Sequence, residues 1–288
     1  MHRQRGRVPV ASPAVLDVIA LALEEDLGTG DLTTLAVVPE GARAKATIEQ
    51  REPGVPAGLV VARTVFARVD PELQFRALAD DGGWREPGPL AELSGAADAI
   101  LAGERVALNF LGRLSGIATL TARFVHAVEG TGARILDTRK TTPGLRAFEK
   151  EAVLAGGGTN HRRGLWDAVL VKENHSALAG GVGEATRRAL AGAPPGVVVE
   201  VECATLAEVA EAIECGAGRI LLDNMDVTGL RDAVELVGGR AVLEASGGVT
   251  LDTVRGIAET GVDYISVGAL THSAPALDVS LMLHALDL

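Results

Sequence analysis

The sequence predicts an α/β fold in which barrel-like parallel strands follow a small α+β layer. Two patterns predict it. After residue 134, short apolar runs alternate with loops and helical stretches: Arg134–Leu136, Ala168–Val171, Val197–Val201, Ile220–Leu222, Ala241–Leu243 and Tyr264–Val267. Strands separated by helices imply parallel pairing through crossovers. Between residues 43 and 95 the pattern is instead one of short alternating strands, set apart by Gly/Pro clusters at 53–58 and 82–89.

In chain order, residues 1 to 11 read as an arm. Ser12-Pro13 supplies an N-cap and a proline at the first helical position. Leu16, Ile19, Leu23 and Leu27 then line one face of a helix that Gly28 ends. The polar turn Glu25 to Thr34 carries carboxylates better suited to capping than to holding metal. Alternation marks strands in Ala44–Gln50 and Leu73–Ala77, with a helix from Leu59 to Val69 between them. Leu101–His126 is a long helical stretch, expected to break near Ser115-Gly116, where the domain boundary is placed; Arg105 stands near its start. In the second half, Thr205-Leu-Ala-Glu208 is a capping box and Gly216 closes the helix it opens.

Composition narrows the function. The chain has 288 residues, a net charge of -11, and only 3% aromatic residues. An acidic protein with few stacking side chains is a poor partner for nucleic acid. No run approaches membrane-spanning length, and the basic start Met1–Arg7 lacks the apolar core of a signal peptide, so a cytoplasmic protein is expected. Cys203 and Cys215 have no zinc-ligand spacing and read as small buried residues.

Against this acidic background, residues 134–175 hold eight Lys/Arg and five Asp/Glu. Arg134, Arg146, Lys150 and Arg163 read as solvated charges. Arg139-Lys140, His161-Arg162 and Lys172 sit beside turn residues or at a strand tip, where clustered cations suit a small multiply charged anion. The six strands end at Asp137, Lys172, Glu202, Asp223, Ser246 and Gly268, the last four spaced 21, 23 and 22 residues apart. Parallel strands bring such ends to one face, the active face of β/α barrels. Ser246-Gly247-Gly248 and the turn at Gly268-Ala269 follow the last two strands, the usual place of a phosphate site. Glu202 and Asp223 opposite that cradle fit ribose hydroxyls, magnesium on a pyrophosphate, or a cationic transition state.

The segments Glu25–Thr34, Glu104–Phe110, Leu114–Thr119, Asp137–Arg146, Gly156–Arg162, Lys172–His175, Glu200–Glu202, Leu222–Asn224, Glu244–Gly248 and Gly261–His272 together resemble the quinolinate phosphoribosyltransferases. The resemblance covers nearly the whole chain in order. It implies transfer of phosphoribose from phosphoribosyl pyrophosphate (PRPP) to quinolinate with loss of CO2, giving nicotinate mononucleotide and pyrophosphate, with magnesium. It also implies an N-terminal α/β sandwich (1–116) and an incomplete α/β barrel (117–272), in keeping with six strands rather than eight. The tail, about 273–288, would return to the first domain.

By the same resemblance, Thr138, Arg139, Lys140, His161, Arg162 and Lys172 would surround quinolinate, joined by Arg105 from the neighbouring subunit of a homodimer. Lys140 and Lys172 would also reach PRPP. Glu202 and Asp223 would hold the ribose and its magnesium. Ser246, Gly247, Gly248, Val267, Gly268 and Ala269 would hold the 5′-phosphate. Lys140, Lys172, Glu202 and Asp223 would be the catalytic set. The alternatives are a paralogous transferase with another substrate and a non-catalytic sugar-phosphate binder. The first is disfavoured by the intact Lys172-Glu-Asn-His175. The second has no use for two carboxylates facing five cations.

Overall fold

The structure, a computed structural model, describes residues 13–286. The N-terminal arm and the Ser12 cap lie outside that range. Along the chain run α1 (Pro13–Leu27), α2 (Leu32–Val37), β1 (Arg43–Gln50), α3 (Leu59–Val69), β2 (Gln74–Ala77), β3 (Gly88–Ala96) and α4 (Ala97–Ala127). Then come β4 (Arg134–Leu136), α5 (Arg146–Ala155), β5 (Ala168–Val171), α6 (Glu173–Ala179), α7 (Val182–Gly192), β6 (Val198–Cys203) and α8 (Leu206–Glu214). The chain finishes with β7 (Arg219–Asp223), α9 (Val227–Val237), β8 (Val242–Ser246), α10 (Val254–Ala258), β9 (Tyr264–Ser266), α11 (Ala269–His272) and β10 (Val279–Ala285). It forms two compact units: residues up to Ala122 with Thr142–Gly157 and the stretch from Ser273, and Arg123–Thr141 with Gly158–His272.

The first unit is built on an antiparallel sheet of order β10-β1-β3-β2. Its central strand alternates as the sequence predicts, with Ala44, Ala46, Ile48 and Gln50 buried and their neighbours facing outward. The C-terminal β10 pairs along nearly the whole of β1, from Ala44 opposite Ala285 to Gln50 opposite Val279. α1 ends where expected: the Gly28 amide donates to Glu24 O (3.1 Å) and the backbone turns at φ +48. Asp31 caps α2, accepting from the Thr33 and Thr34 amides at 3.0 and 3.1 Å, so the polar turn does serve as a cap.

Two expectations for this unit are corrected. The long helix α4 does not break at Ser115-Gly116. A Cβ at Gly116 would stand 1.9 Å from the Pro275 carbonyl oxygen, so the glycine lets the C-terminal segment lie against the helix without interrupting it. Leu277 N donates to Gly112 O (2.9 Å) one turn earlier on the same face. Lys150 is not a solvated surface charge: α5 buries Phe148, Glu149, Lys150, Ala152 and Val153, and Lys150 is fully enclosed. Glu149 beside it accepts from the Arg113 guanidinium (2.8 Å) and from the Thr142 hydroxyl (2.8 Å). A carboxylate can be enclosed in this way because its oxygens are hydrogen-bonded and its charge is paired.

The second unit carries a six-stranded sheet of order β4-β9-β8-β7-β6-β5, parallel at every pairing. Each expected strand is present, with ends shifted by at most three residues. The middle strands bury near-continuous apolar runs, Ile220-Leu221-Leu222 in β7 and Leu243-Glu244-Ala245 in β8, interrupted only by a glutamate. Parallel strands covered on both faces require such runs.

Candidate active site

All strand ends of the second unit point one way because the sheet is parallel, and Lys172, Glu202, Asp223 and Ser246 stand at or just past those ends. Lys172 follows β5 and opens α6. The His175 ring accepts from the Lys172 amide (2.9 Å), which fixes the turn out of the strand. The ammonium Nζ then reaches Glu202 Oε2 on the neighbouring β6 at 3.0 Å. Asp223 ends β7, the next strand, and accepts from Asn224 Nδ2 (2.8 Å). Asn224 holds a left-handed backbone at φ +55 and donates its amide to Ser246 O (2.8 Å), tying the end of β7 to that of β8.

Glu202 and Asp223 share a cavity of about 300 Å3 with Glu173, Ser176 and Glu208. The Ser176 hydroxyl is buried there and has no hydrogen-bond partner among the described residues. Oxygen donors on adjacent strands, with an unmatched hydroxyl beside them, fit a hydrated magnesium ion or a sugar hydroxyl. Glu208 is already engaged, its carboxylate accepting from the Ala204 and Thr205 amides as part of the expected capping box. Cys203, next to Glu202 in the chain, is buried, and burial together with Glu208, Glu202 and Glu211 pushes its thiol up to about 12. It stays protonated and is no nucleophile. Cys215 is only half-buried, with Arg187 Nη1 3.1 Å from its sulfur.

The glycine turns differ in what requires them. Gly247 turns at φ +104, and a Cβ there would lie 2.1 Å from Asn224 Oδ1. Gly248, at φ +59, has open space where a side chain would be. After β9 the Val267 amide donates to Leu136 O (3.0 Å) inside the sheet, so Gly268 and Ala269 lead the exit to the short α11. The Lys140 chain runs past Gly268, and the Thr271 hydroxyl donates to Lys140 O (2.8 Å). Thr138 accepts from the Lys140 amide (3.0 Å).

On the cationic side, the loop 158–162 is pinned to β4: Thr159 N donates to Ile135 O (2.9 Å) and His161 N to Asp137 Oδ1 (2.8 Å). Burial, then the nearby charge of Arg139, pulls Arg162 below its ordinary value. Two guanidinium groups this close suit an anion. Asp167 accepts from the Arg163 and Gly164 amides (2.7 and 3.0 Å) and closes the loop behind them.

Sequence reasoning assigned no role to a polar network beneath these residues. His161 Nε2 lies 2.9 Å from Glu200 Oε2 and 3.5 Å from Glu244 Oε1. Arg219 bridges the same carboxylates, with Nε 2.8 Å from Glu200 and Nη2 2.5 Å from Glu244. Its guanidinium lies 4.7 Å from the Tyr264 ring centre, and Ser266 donates its hydroxyl to Glu244. The signal that finds these residues is the period of two. Glu200, Glu244 and Ser266 precede Glu202, Ser246 and Gly268 by two positions and share their face, one layer deeper. Arg105, by contrast, belongs to the first unit, exposed on α4 eight residues from its start.

Comparisons with known proteins agree with one another. The N-terminal domain model of the quinolinate phosphoribosyl transferases matches residues 31–115, and the C-terminal domain model matches 117–282. A chloroplastic nicotinate-nucleotide pyrophosphorylase (carboxylating) of Oryza sativa subsp. japonica is 48% identical, over 96% of this chain and 81% of that protein. The crystal structure of NadC from Streptococcus pyogenes superposes with a TM-score of 0.90 at 42% identity, covering 94% of this chain and 96% of that one. The nicotinate-nucleotide pyrophosphorylase of Francisella tularensis does so with 0.90 at 38% identity, over 95% and 98%. The chain belongs to the quinolinate phosphoribosyl transferase family.

Proposed function

We propose that this chain transfers phosphoribose from PRPP to the ring nitrogen of quinolinate and releases CO2, giving nicotinate mononucleotide and pyrophosphate. The observation that carries this reading is the contact between the two halves of the strand-end face. Arg139, Lys140, Arg162 and Lys172 form a cationic half suited to a dicarboxylate. Glu202 and Asp223 form an anionic half suited to a ribose. Lys172 touches Glu202 and belongs to both.

The chemistry follows from these charges. Guanidinium forks bind carboxylates with two parallel hydrogen bonds, which orients the pyridine ring as well as holding it. As pyrophosphate departs, positive charge grows on the ribose, and Glu202 and Asp223 lie where it is stabilised. Magnesium, when bound by these two carboxylates, would offset the charge on the leaving pyrophosphate. Gly247, Gly248, Gly268 and Ala269 offer backbone N–H groups to the 5′-phosphate. Once the ring nitrogen carries ribose it is positively charged and draws electrons from the adjacent C–CO2 bond. That carboxylate leaves as CO2, and the carbon takes a proton. Calorimetry with quinolinate, with and without a chelator, tests the division: binding should persist without metal while turnover stops. Quinolinate binding that vanishes with the chelator would contradict it.

The active form is a homodimer with shared sites. Leu21, Leu32, Leu35 and Val37 of α1 and α2 are 64 to 79% exposed, an apolar surface that a second copy would cover. Arg105, exposed on α4, is the residue each subunit would lend to the other. Arg105→Ala and Arg162→Ala should each be nearly inactive. Refolded together, random pairing leaves roughly a quarter of the sites with neither lesion. No recovery of activity in confirmed mixed dimers would show that Arg105 does not serve a neighbour's site.

A further inference from the structure

We propose that His161 is a positioning residue, whose ring is spent on holding the backbone that carries Arg162 rather than on the substrate. The part of this that concerns substrate rests on the quinolinate reading above; the part that concerns the ring does not. Both ring nitrogens have protein partners. The Arg162 amide lies 2.6 Å from His161 Nδ1. A backbone N–H only donates, so Nδ1 must present its lone pair. The ring then carries its one proton on Nε2, which faces Glu200 Oε2 at 2.9 Å.

The surroundings are built to hold that tautomer. Glu200 is almost wholly buried, and its other oxygen already accepts from Arg219 Nε at 2.8 Å. It is a fixed acceptor for Nε2–H. Glu244 is buried as well, and Arg219 Nη2 and the Ser266 hydroxyl donate to its carboxylate. Arg219 thus supplies a cation to both carboxylates, 2.8 Å from Glu200 and 2.5 Å from Glu244. The same three groups (His161, Glu200, Glu244) lie close enough to ligate a metal ion, but Arg219 already occupies an oxygen of each carboxylate.

The purpose lies one residue on. Arg162 is half-buried near the like charge of Arg139, with the carboxylates of Asp167 and Glu200 opposing it, so the place of its guanidinium depends on the backbone that carries it. Three ties hold it: Thr159 to β4, His161 N to Asp137, and the His161 ring between the Arg162 amide and Glu200. The ring ties the loop to β6, and the loop presents the guanidinium.

Long-range proton–nitrogen NMR of the full-length protein, labelled at histidine and assigned with His161→Gln, reads the ring directly. The expected spectrum shows a pyridine-type Nδ1 and a protonated Nε2, unchanged in kind when quinolinate is added. A doubly protonated ring, or a proton appearing on Nδ1 with quinolinate, would overturn the proposal. Quinolinate affinity of His161→Asn provides the second readout, since its amide oxygen can replace Nδ1 as acceptor for the Arg162 amide. Its affinity should stay within about tenfold of wild type, that is, within about 1.4 kcal/mol. A larger loss in His161→Asn that His161→Lys restores would mark a direct charge contact and overturn it. Wild-type protein that fails to bind quinolinate would sink the substrate reading and leave the spectrum to decide the role of the ring.

Discussion

Lys172 Nζ and Glu202 Oε2, from the ends of neighbouring parallel strands, stand 3.0 Å apart at the junction of a cationic and an anionic half-site. The lysine side chain is 48% exposed and the glutamate 13%. An exposed pair of this kind adds little to stability. On the proposed function its value is in placement: a carboxylate of one substrate and the departing pyrophosphate of the other would both reach the ammonium.

Lys172→Met should therefore lower kcat/KM by tenfold or more, since a hydrogen bond to a charged group contributes about 1.5–3 kcal/mol. The melting temperature should hardly change. Arg188, exposed on α7 and paired with Glu184 at 2.7 Å, is the matched control. Arg188→Met should leave both quantities near wild type. Steady-state kinetics on the two variants checks this, and equal activities would place the chemistry elsewhere.

The two buried glutamates of the network should divide the pH dependence of stability. Glu200 is held below its unfolded value, so its contribution is complete above the unfolded carboxylate range and is lost as pH falls through the folded value. Glu244 is raised, so its contribution is complete below that range and is lost as pH rises through its folded value. Urea midpoints measured from acid to neutral pH should lose their acid-side slope in Glu200→Gln. They should lose the slope above the ordinary carboxylate range in Glu244→Gln. Unchanged slopes in both variants would show that neither group titrates with folding.

Gly247 and Gly248 should respond differently to a methyl group. Gly247→Ala meets Asn224 Oδ1 and has to displace the side chain that hydrogen-bonds Asp223, on top of a left-handed backbone costing about 1–2 kcal/mol. Gly248→Ala meets only the backbone cost. The first variant should lose more stability, read by urea unfolding, and more PRPP affinity, read by calorimetry, than the second. Equal losses would mean that Asn224 does not orient Asp223.

Much of this arrangement was legible in the sequence where one local rule sufficed. The apolar runs fixed six parallel strands, and the residues that end them gave Lys172, Glu202, Asp223 and Ser246 their places. Lys150 was misread because the burial of α5 extends past its apolar stripe to two charged residues, and no periodicity reports partners that come from elsewhere in the chain. The supposed break at Ser115-Gly116 failed for a similar reason, since the glycine answers the Pro275 carbonyl from 159 residues later. Strands β3 and β10 went unassigned, although β10 completes β1 from the far end of the chain. His161 was recognised as part of the site, but its partners sit one layer down each strand, where glutamates inside apolar runs should have been the clue.

The central claim is tested most directly with quinolinate labelled at the carboxylate beside the ring nitrogen. Incubated with the protein, PRPP and magnesium, it should release labelled CO2 in step with nicotinate mononucleotide, one for one. Nicotinate in its place should give little product, having lost the carboxylate that the cationic half receives. Nucleotide formed from nicotinate without CO2, or no product from quinolinate while both substrates bind, would contradict the account.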